Sequence, residues 1–511
     1  MTKRWAALIA ALAVLLCAAG PASAGKSDDT LRVAVTDWWS TLDPYIFPLD
    51  EAAVFYQGVY ETLASYDVRQ RKFVPRLAKS WQRIDDRTIE FELRDDVVFH
   101  NGDKFDAEDV VASINFAIDP SIPMRHKDLY SEVAKAEKVG PYAVRVTMKE
   151  PTPVDLQTLA YQFFIFDGKV LAKLDNKADY GRVSRVATGP FKVVSLDQQK
   201  MVLERFDDYY GKDGPYRARV KRVVAMTIPD RQTQIAQFLT GNIDVIRNAS
   251  ADTVRELGKM PDVRVTPMHD GQLMYVTLDA LGRSDNKAMM DQRVRKAFMM
   301  AVDREELART VVPGGDIADI LDGICVDGVV GCAATTKPPD YDLAGAKKLL
   351  AEAGYADGFD LELDAHEPVK EIAEAIAGQV RKAGIRASVR PLPSALYVRL
   401  RGEGKFTAFV GYRPTNARPD MDDLMDFFFD GNRDYWNDPL LKQAQKEGAA
   451  EFDGEKRVEI YRRAIDQVNK MNYILPLTDL PMVFVHTREV QVDPDPLSEI
   501  DNNIRDFSWA P

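Results

Sequence analysis

The segment formed by residues 91–111, FELRDDVVFHNGDKFDAEDVV, constrains the fold more than any other part of the chain. Apolar and polar side chains alternate through its first residues, as they do in a half-buried strand. Asn101 and Gly102 then form a turn dipeptide. Asp106 and Asp109 have the spacing of a helix N-cap, and an apolar face follows them at helical intervals. The segment therefore predicts a strand, a turn and a capped helix, which together form an αβ unit of a globular protein.

The N-terminus has the features of an export signal. Lys3 and Arg4 precede an apolar stretch over residues 6–19, and small residues end at Ala24, so the sequence predicts a signal peptide over residues 1–24 with cleavage after Ala24. The apolar stretch is shorter than the roughly 20 residues that a membrane helix needs, and the rest of the sequence has no longer one. We expect a protein secreted to the periplasm, without stable membrane insertion.

The charge and the motif content exclude several classes of function. The formal net charge is −12, and charges of both signs are mixed along the chain. A negative excess disfavours binding to nucleic acid and to anionic membranes. The sequence lacks GxSxG, HExxH, a Walker loop and a complete GxGxxG. We expect no nucleic-acid partner, no metal, no cofactor and no catalytic residue, while a periplasmic hydrolase built from scattered acidic residues stays an alternative.

Cys325 and Cys332 lie together in a Gly-rich loop, GICVDGVVGC. In an exported chain such a pair commonly forms a disulfide. A zinc site is the alternative, but no CxxC or HxxxH partner lies nearby in the sequence. We expect a local disulfide that closes the loop.

Predicted strands and helices alternate along the whole mature sequence. Alternating apolar residues predict an opening strand at 31–35 and a hairpin over 191–205. The second half contains longer helices, among them 372–383 and 455–471. Because the length corresponds to about three domain equivalents, we expect mixed αβ lobes rather than one compact domain.

Further sequence blocks carry a family resemblance. They are VPRLAKSW at 74–81, ATGPF at 187–191, GNID at 241–244, VRKA at 294–297 and AKKLLAEAG at 346–354. With residues 91–111, and in this order, they resemble the bacterial extracellular solute-binding proteins, family 5. Members of this family are receptors that deliver peptides, nickel chelates and related solutes to ABC importers.

The resemblance implies an α/β fold, the two-lobed clamp of the periplasmic binding proteins (type II-like, large class), with an extra domain inserted into the first lobe. By motif order, the first lobe is expected to combine residues 25–60, 184–268 and 480–511. The inserted domain is expected at 61–183 and the second lobe at 269–479. The two chain crossings between the lobes would then form the hinge.

The same resemblance implies a function and its partners. We expect a monomeric periplasmic receptor that captures a peptide-like or related small solute by hinge closure and delivers it to the transmembrane permease subunits of an ABC importer. Binding of a non-peptide solute, either anionic, sugar-like or a metal chelate, is the alternative within the same mechanism. A sensory or chaperone-like clamp without an importer is a further alternative.

The loop after the opening strand is the first candidate for contact with a ligand. It contains Trp38, Trp39 and Tyr45. Loops at the ends of strands face the crevice of an open αβ lobe, where ligands bind. Since neighbouring residues on an extended loop point in opposite directions, we expect one tryptophan in the cleft and the other in the core.

Residues 406–420 are similar to the ligand loop of the family. The candidate ligand-binding residues there are Tyr412, Arg413, Thr415, Asn416, Arg418 and Asp420. Thr415 occupies the position at which peptide-binding members have an Asp for the α-amino group of the ligand. A neutral hydroxyl cannot balance a buried ammonium, so this loop predicts a ligand without a free amino terminus, with a blocked peptide as an alternative.

Two arginines of the loop suit an anionic ligand. The guanidinium groups of Arg413 and Arg418 have the shape to bind carboxylate or phosphate. A surface ion pair with the acidic residues beyond Pro419 is the alternative for each. The last candidate is Tyr275. It lies on a strand similar to one that lines the cleft in the family. Because a strand hides every other side chain, a place in the core is the alternative for Tyr275.

Overall fold

The computed structural model describes residues 25–36, 41–46, 50–67, 69–124, 127–269, 271–415, 419–493 and 503–511. In chain order the strands of these residues are β1 (Thr30–Val35), β2 (Ala64–Asp67), β3 (Lys72–Pro75), β4 (Ala78–Arg83), β5 (Thr88–Leu93), β6 (Val133–Gly140), β7 (Ala143–Met148), β8 (Phe191–Leu196), β9 (Lys200–Arg205), β10 (Arg222–Thr227), β11 (Val245–Ile246), β12 (Val263–Met268), β13 (Gln272–Leu278), β14 (Phe359–His366), β15 (Ile385–Leu392), β16 (Ala408–Pro414), β17 (Ile474–Asp479), β18 (Met482–Thr487), β19 (Val490–Val492) and β20 (Phe507–Trp509).

The α-helices of the same residues are short in the first half of the chain and longer in the second. They are Asp50–Val59, Ala107–Ile118, Asp155–Gln162, Gly168–Ala172, Tyr180–Val183, Arg231–Leu239, Ala251–Leu257, Gln292–Met300, Arg304–Val311, Leu343–Glu352, Lys370–Lys382, Ser394–Gly402, Met421–Phe429, Pro439–Ala450 and Gly454–Met471. None of these described helices has the length and apolar character that a membrane crossing requires.

A seven-stranded sheet forms the first lobe, in the order β12-β18-β11-β1-β10-β9-β8. The central strand β1 pairs in parallel with β10 and β11, whereas β18 runs antiparallel to β11 and β12. The predicted opening strand is β1, and the predicted hairpin over 191–205 is β8 with β9. The sheet joins strands from the start, middle and end of the chain, so the first lobe is discontinuous.

Residues 91–111 form part of an inserted domain, a name we give to the region built on β2–β7. Its four-stranded antiparallel sheet has the order β4-β5-β7-β6, and β2 pairs with β3 beside it. The predicted capping box is confirmed: Asp106 accepts a hydrogen bond from the backbone of Glu108, and Asp109 accepts one from the backbone of Asp106. The predicted strand, turn and helix are therefore all present.

The second lobe contains a five-stranded sheet in the order β15-β14-β16-β13-β17. β14 is parallel to both β15 and β16, and helices pack on the sheet through a separate hydrophobic core. The predicted helices 372–383 and 455–471 are present as Lys370–Lys382 and Gly454–Met471. The fold is thus the two-lobed α/β architecture with an inserted domain, while the residue boundaries of the three parts stay predictions.

The chain passes from the seven-stranded to the five-stranded sheet between β12 and β13, and it returns between β17 and β18. The two connectors lie side by side, since the backbone N–H of Leu480 donates to Gln272 O at 2.9 Å. A rotation of one lobe against the other must therefore act on these few residues.

Candidate functional site

The ligand loop, which we define as residues 411–420, begins at the end of β16 and is tied to a connector between the lobes. Thr415 is buried, and both its backbone N–H and its hydroxyl donate to Gly271 O, at 2.8 and 2.6 Å. The hydroxyl of Thr415, which the sequence predicts at the anchor position, is thus engaged by the backbone of a connector.

Asp420 ends the ligand loop in a buried ion pair. Its carboxylate accepts two hydrogen bonds of 2.6 Å from the guanidinium of Arg457, and both side chains are buried. One of its oxygens also accepts from the backbone N–H of Asp422 at the start of helix Met421–Phe429. These contacts fix the loop on the second lobe and leave no exposed carboxylate at Asp420.

Arg413 makes the ion pair that the sequence left open as its alternative. Its Nη2 atom lies 2.9 and 2.7 Å from the two carboxylate oxygens of Asp423, and its guanidinium carbon lies 4.7 Å from the centre of the Phe427 ring. The charge of Arg413 is therefore already balanced within the lobe. Asn416 and Arg418 lie outside the described residues, as do Trp38 and Trp39.

An aromatic stack lies where β14 and β16 end side by side. The ring of His366 stacks on Tyr412 at 5.2 Å and on Tyr397 at 5.1 Å, with interplanar angles of 12° and 21°. His366 Nε2 also hydrogen-bonds with Ser394 Oγ at 2.6 Å. Burial lowers the pKa of His366, although Glu367 opposes the shift, so the imidazole is neutral near pH 7. The stack lies at the carboxyl ends of these two parallel strands, the edge at which open αβ sheets bind ligands.

Sequence reasoning did not assign this role to His366 or Tyr397. His366 belongs to none of the sequence blocks, and Tyr397 lies in helix Ser394–Gly402, away from any recognised block. The signal that could have found His366 is the alternation of apolar and polar residues over 359–365, which is typical of a half-buried strand and ends at His366. Tyr412, a predicted ligand contact, is half-buried in the same stack.

Tyr275 and Tyr45 are fully buried. The ring of Tyr275 packs edge-on against Phe428 at 4.9 Å, which is the core alternative named for it. The hydroxyl of Tyr45 donates to Phe164 O at 2.6 Å, and its ring packs among aromatic residues of the inserted domain. In this arrangement neither ring offers surface to a solute, because each is enclosed by its own core.

The predicted disulfide is confirmed, and its loop supports the ligand loop. Cys325 and Cys332 are bonded. Between them, the backbone of Val330 pairs with the ligand loop: its N–H donates to Pro419 O and its carbonyl accepts from the N–H of Met421, both at 2.9 Å. The disulfide loop is therefore one wall of the site and not a remote staple.

The inserted domain faces the second lobe across the cleft and touches it. Arg71, between β2 and β3, forms an ion pair of 2.9 Å with Asp327 of the disulfide loop. The guanidinium of Arg83 lies 5.0 Å from the centre of the Phe452 ring. Burial raises the pKa of Tyr66, and the charges that act on this phenol include Asp420 of the second lobe. These contacts indicate that the two sides of the clamp are closed on each other.

A polar pocket of about 60 Å³ opens in the wall that contains Tyr66. It is lined by Gln57, Tyr60, Glu61, Thr62, Ser65, Tyr66, Arg76, Ala160, Tyr161, Phe164, Asn503 and Arg505. At its base Glu61 pairs with Arg76 at 2.5 Å and accepts from the hydroxyls of Tyr209 and Tyr210. The pocket combines aromatic walls with a charge-balanced base, which suits a small polar group of a solute.

Known proteins share this architecture. A family model described as bacterial extracellular solute-binding proteins, family 5 Middle, matches residues 72–436. The glutathione-binding protein GsiB of Salmonella paratyphi A is 25% identical over 513 residues, which cover 96% of each chain. NikA from Brucella suis in complex with Fe(III)-EDTA has a TM-score of 0.81 at 24% identity, covering 94% of this chain and 100% of that one. The substrate-binding protein CtaP from Listeria monocytogenes has a TM-score of 0.81 at 20% identity, covering 94% and 99%.

The match to the family model spans well over half of the chain, and it includes β3–β7 of the inserted domain, the aromatic stack and the ligand loop. The similar solved structures share the two-lobed fold. The chain therefore belongs to the bacterial extracellular solute-binding proteins, family 5, and is a solute-binding receptor.

Proposed function

We propose that this receptor captures a small, carboxylate-bearing solute that is not held through a free ammonium group at the ligand loop. The solute is a modified peptide, a peptide conjugate or a chelate. Closure of the clamp encloses the solute between the aromatic stack and the pocket of the inserted domain. The closed form then docks on the permease of an ABC importer.

The pairing of every carboxylate in and just after the ligand loop carries this proposal. Residues 411–423 contain three acidic residues, Asp420, Asp422 and Asp423. Arg457 binds Asp420, the hydroxyl of Tyr461 donates to Asp422, and Arg413 binds Asp423. An ammonium placed here would have to compete with Arg457 for Asp420 or with Arg413 for Asp423, while Asp422 is buried beside the same Arg457 cation, and an unbalanced buried charge costs several kcal/mol.

The walls of the site and the similar proteins support the same class of solute. The stack of Tyr397, His366 and Tyr412 is uncharged near pH 7, so it favours planar or apolar parts of a solute over a cation. GsiB is a glutathione-binding protein, and NikA holds Fe(III)-EDTA. Glutathione has two carboxylates and EDTA has four, so both support the carboxylate-bearing part of the proposal. Arg418 of the ligand loop stays the predicted partner of such a carboxylate.

The proposed location and partners follow from the sequence and the family. The predicted signal peptide over residues 1–24 directs the chain to the periplasm, and a receptor of this family works with permease subunits in the membrane. The proposed mechanism contains no chemical step, so we expect saturable binding without turnover of the solute.

The first test is native mass spectrometry of freshly purified protein, because a closed clamp retains its solute. A second test compares matched pairs of small peptides that differ only in N-terminal acetylation, with the affinity measured by calorimetry. We expect the acetylated peptide to bind at least as well as the free one. A loss of about 100-fold on acetylation, equivalent to about 2.7 kcal/mol, would show an amino anchor and contradict the proposal.

Thr415→Asp supplies a matched control for the same measurement. It restores a carboxylate at the position of the amino anchor, so we expect the preference to move toward the free peptide. The new carboxylate also lies beside Gly271 O, so the variant should be less stable than the wild type by roughly 1 to 3 kcal/mol. Thr415→Ser, which keeps the hydroxyl, should leave the preference unchanged.

A further inference from the structure

Three potential metal ligands, none of them in the ligand loop or the aromatic stack, meet where the connectors between the lobes begin. They are His269, Asp319 and Asp479. His269 directly follows β12, and Asp479 is the last residue of β17. Asp319 lies on the second lobe, between helices Arg304–Val311 and Leu343–Glu352. One ligand atom from each lies within 4.8 Å of the other two. His269 Nδ1 is 2.6 Å from Asp479 Oδ2 and 3.9 Å from Asp319 Oδ2.

Backbone hydrogen bonds hold Asp479 against the main chain of Asp319. Asp479 is buried, and its Oδ1 accepts from the backbone N–H of Asp319 at 2.7 Å. In return the N–H of Asp479 donates to Asp319 O at 3.1 Å. Asp479 Oδ2 is left to face His269. Because these bonds join Asp479 to the backbone of Asp319, the Asp479 carboxylate stays next to residue 319, while the exposed Asp319 side chain can still rotate.

The chemistry of the cluster suits a divalent cation. In the part of the chain that the structure describes, the ion pairs of Asp319 and Asp479 are with His269, and neither carboxylate pairs with Lys or Arg. Two carboxylates and an imidazole are the O and N ligands that zinc accepts. The side chains of His269 and Asp319 are about half or more exposed, so an ion can reach them from solvent.

The distances require only small movements. Zinc binds imidazole nitrogen and carboxylate oxygen at about 2.0 to 2.2 Å, so two ligand atoms on one tetrahedral ion lie about 3.3 Å apart. His269 Nδ1 would move away from Asp479 Oδ2 by several tenths of an ångström, and Asp319 Oδ2 would approach by a similar amount. Rotation of the exposed side chains of His269 and Asp319 supplies both movements.

We propose that His269, Asp319 and Asp479 form a binding site for a divalent transition metal, with zinc as the probe, that ties the connector after β12 to the second lobe. Water completes the coordination, as it does in other sites with three protein ligands. His269 belongs to one connector, and Asp479 with Asp319 belongs to the other side of the hinge. One ion bound to all three residues therefore limits rotation of the lobes and stabilises the arrangement in which the three ligands are close.

The experiment is a calorimetric titration of the full mature chain with zinc chloride, after treatment with a chelating resin. Free EDTA is avoided, because a similar structure holds Fe(III)-EDTA. The variants are His269→Gln and Asp319→Asn, with Asp322→Asn as the matched control, an exposed aspartate three residues away in the same segment. We expect one zinc per chain, binding at least about tenfold weaker in the first two variants, and unchanged binding in the control.

The rise of the melting temperature with zinc gives a second readout, because a ligand that binds only the folded state stabilises it. We expect this rise in the wild type and in Asp322→Asn but not in Asp319→Asn. Absence of saturable binding at millimolar zinc would overturn the proposal. Binding that is equally tight in His269→Gln and Asp319→Asn would overturn it as well, because the ion would then lie elsewhere. The outcome does not depend on which solute the cleft takes.

Discussion

Two ion pairs around the cleft differ in almost every physical respect. Asp420 and Arg457 lie inside the second lobe with side chains 1% and 6% exposed, and two hydrogen bonds of 2.6 Å join them. Arg71 and Asp327 join the inserted domain to the second lobe with side chains 70% and 84% exposed, through one contact of 2.9 Å. The first pair is desolvated and doubly bonded, whereas the second is open to solvent.

The difference shows where a clamp can be rigid and where it must yield. Removing one partner of a buried pair leaves an unbalanced charge in the lobe, so the buried pair holds the ligand loop in one conformation. An exposed pair contributes little and breaks at low cost, so the lobes can separate to release a solute. The pair inside the second lobe is therefore strong, and the pair that joins the inserted domain to the second lobe is weak.

The largest expected effect is at Arg457. Arg457→Met removes the cation and leaves Asp420 buried, so we expect the free energy of unfolding to fall by about 3 to 5 kcal/mol. Denaturation with guanidinium chloride measures this change. Lys456→Met, on the exposed side of the same helix, is the control and should change stability by less than about 0.5 kcal/mol. A loss below about 1 kcal/mol for Arg457→Met would mean that the pair does not hold the loop.

The inserted domain contains a buried carboxylate, Asp109, that is held by backbone amides, whereas Asp420 of the second lobe is held by a cation. Asp109 accepts from the N–H groups of Gly168 and Asp106, and burial raises its pKa to about 7. Because the folded protein binds this proton more tightly than the unfolded chain, the stability it contributes is fully present below about pH 4 and is lost as pH rises through 7. Between about pH 4 and pH 7, we expect the free energy of unfolding of the wild type to fall by about 2 to 4 kcal/mol more than that of Asp109→Asn.

The measurement for Asp109 is chemical denaturation at a series of pH values. Glu108→Gln is the control on the same helix, because the pKa of Glu108 is lowered by Lys138 and the residue does not titrate near neutral pH. The control should keep the slope of the wild type between about pH 5 and 7. Equal slopes for wild type and Asp109→Asn would show that the buried carboxylate is not protonated there.

The disulfide loop combines both sides of the comparison between buried and exposed pairs. It is held in the second lobe, and it also reaches toward the inserted domain. Replacing both Cys325 and Cys332 by serine should lower the free energy of unfolding by about 2 kcal/mol, as expected for the closure of a short loop. A reducing agent should destabilise the wild type to the same level and leave the double variant unchanged. Since Val330 pairs with the ligand loop, we also expect faster amide exchange around Met421 in the variant.

Local features of the fold could be read from the sequence. The capping box of Asp106 and Asp109, the hairpin of β8 and β9, and the disulfide all connect residues close in the chain, so spacing and composition were sufficient to predict them. The ligand loop was found through its resemblance to the family. What its side chains bind could not be predicted, because the partner of Asp420 lies 37 residues away on another helix.

The remaining features of the site are built from distant parts of the chain. The stack on His366 needs Tyr397 from a helix and Tyr412 from another strand, and no periodicity relates the three. His269 and Asp479 are separated by 210 residues, so no ligand spacing could have indicated them. For Tyr45 and Tyr275 the sequence predicted contact with a ligand, but both aromatic rings are buried. The cores that enclose them are defined only by the tertiary structure.

The smallest expected effect on stability, at Arg71, tests the comparison most directly. Arg71→Ala removes the exposed pair with Asp327, and we expect the free energy of unfolding to change by less than about 0.5 kcal/mol. The distribution between open and closed forms of the solute-free protein should nevertheless shift toward open, as measured by small-angle scattering at low salt. The shift should fade at high salt, where the wild-type pair is screened.

Exchanging the two charges, Arg71→Asp with Asp327→Arg, should restore closure, because the pair acts through its charges. A stability loss above about 1 kcal/mol for Arg71→Ala would mean that this contact also supports a lobe, and the division between rigid interiors and a weak interface would not hold there.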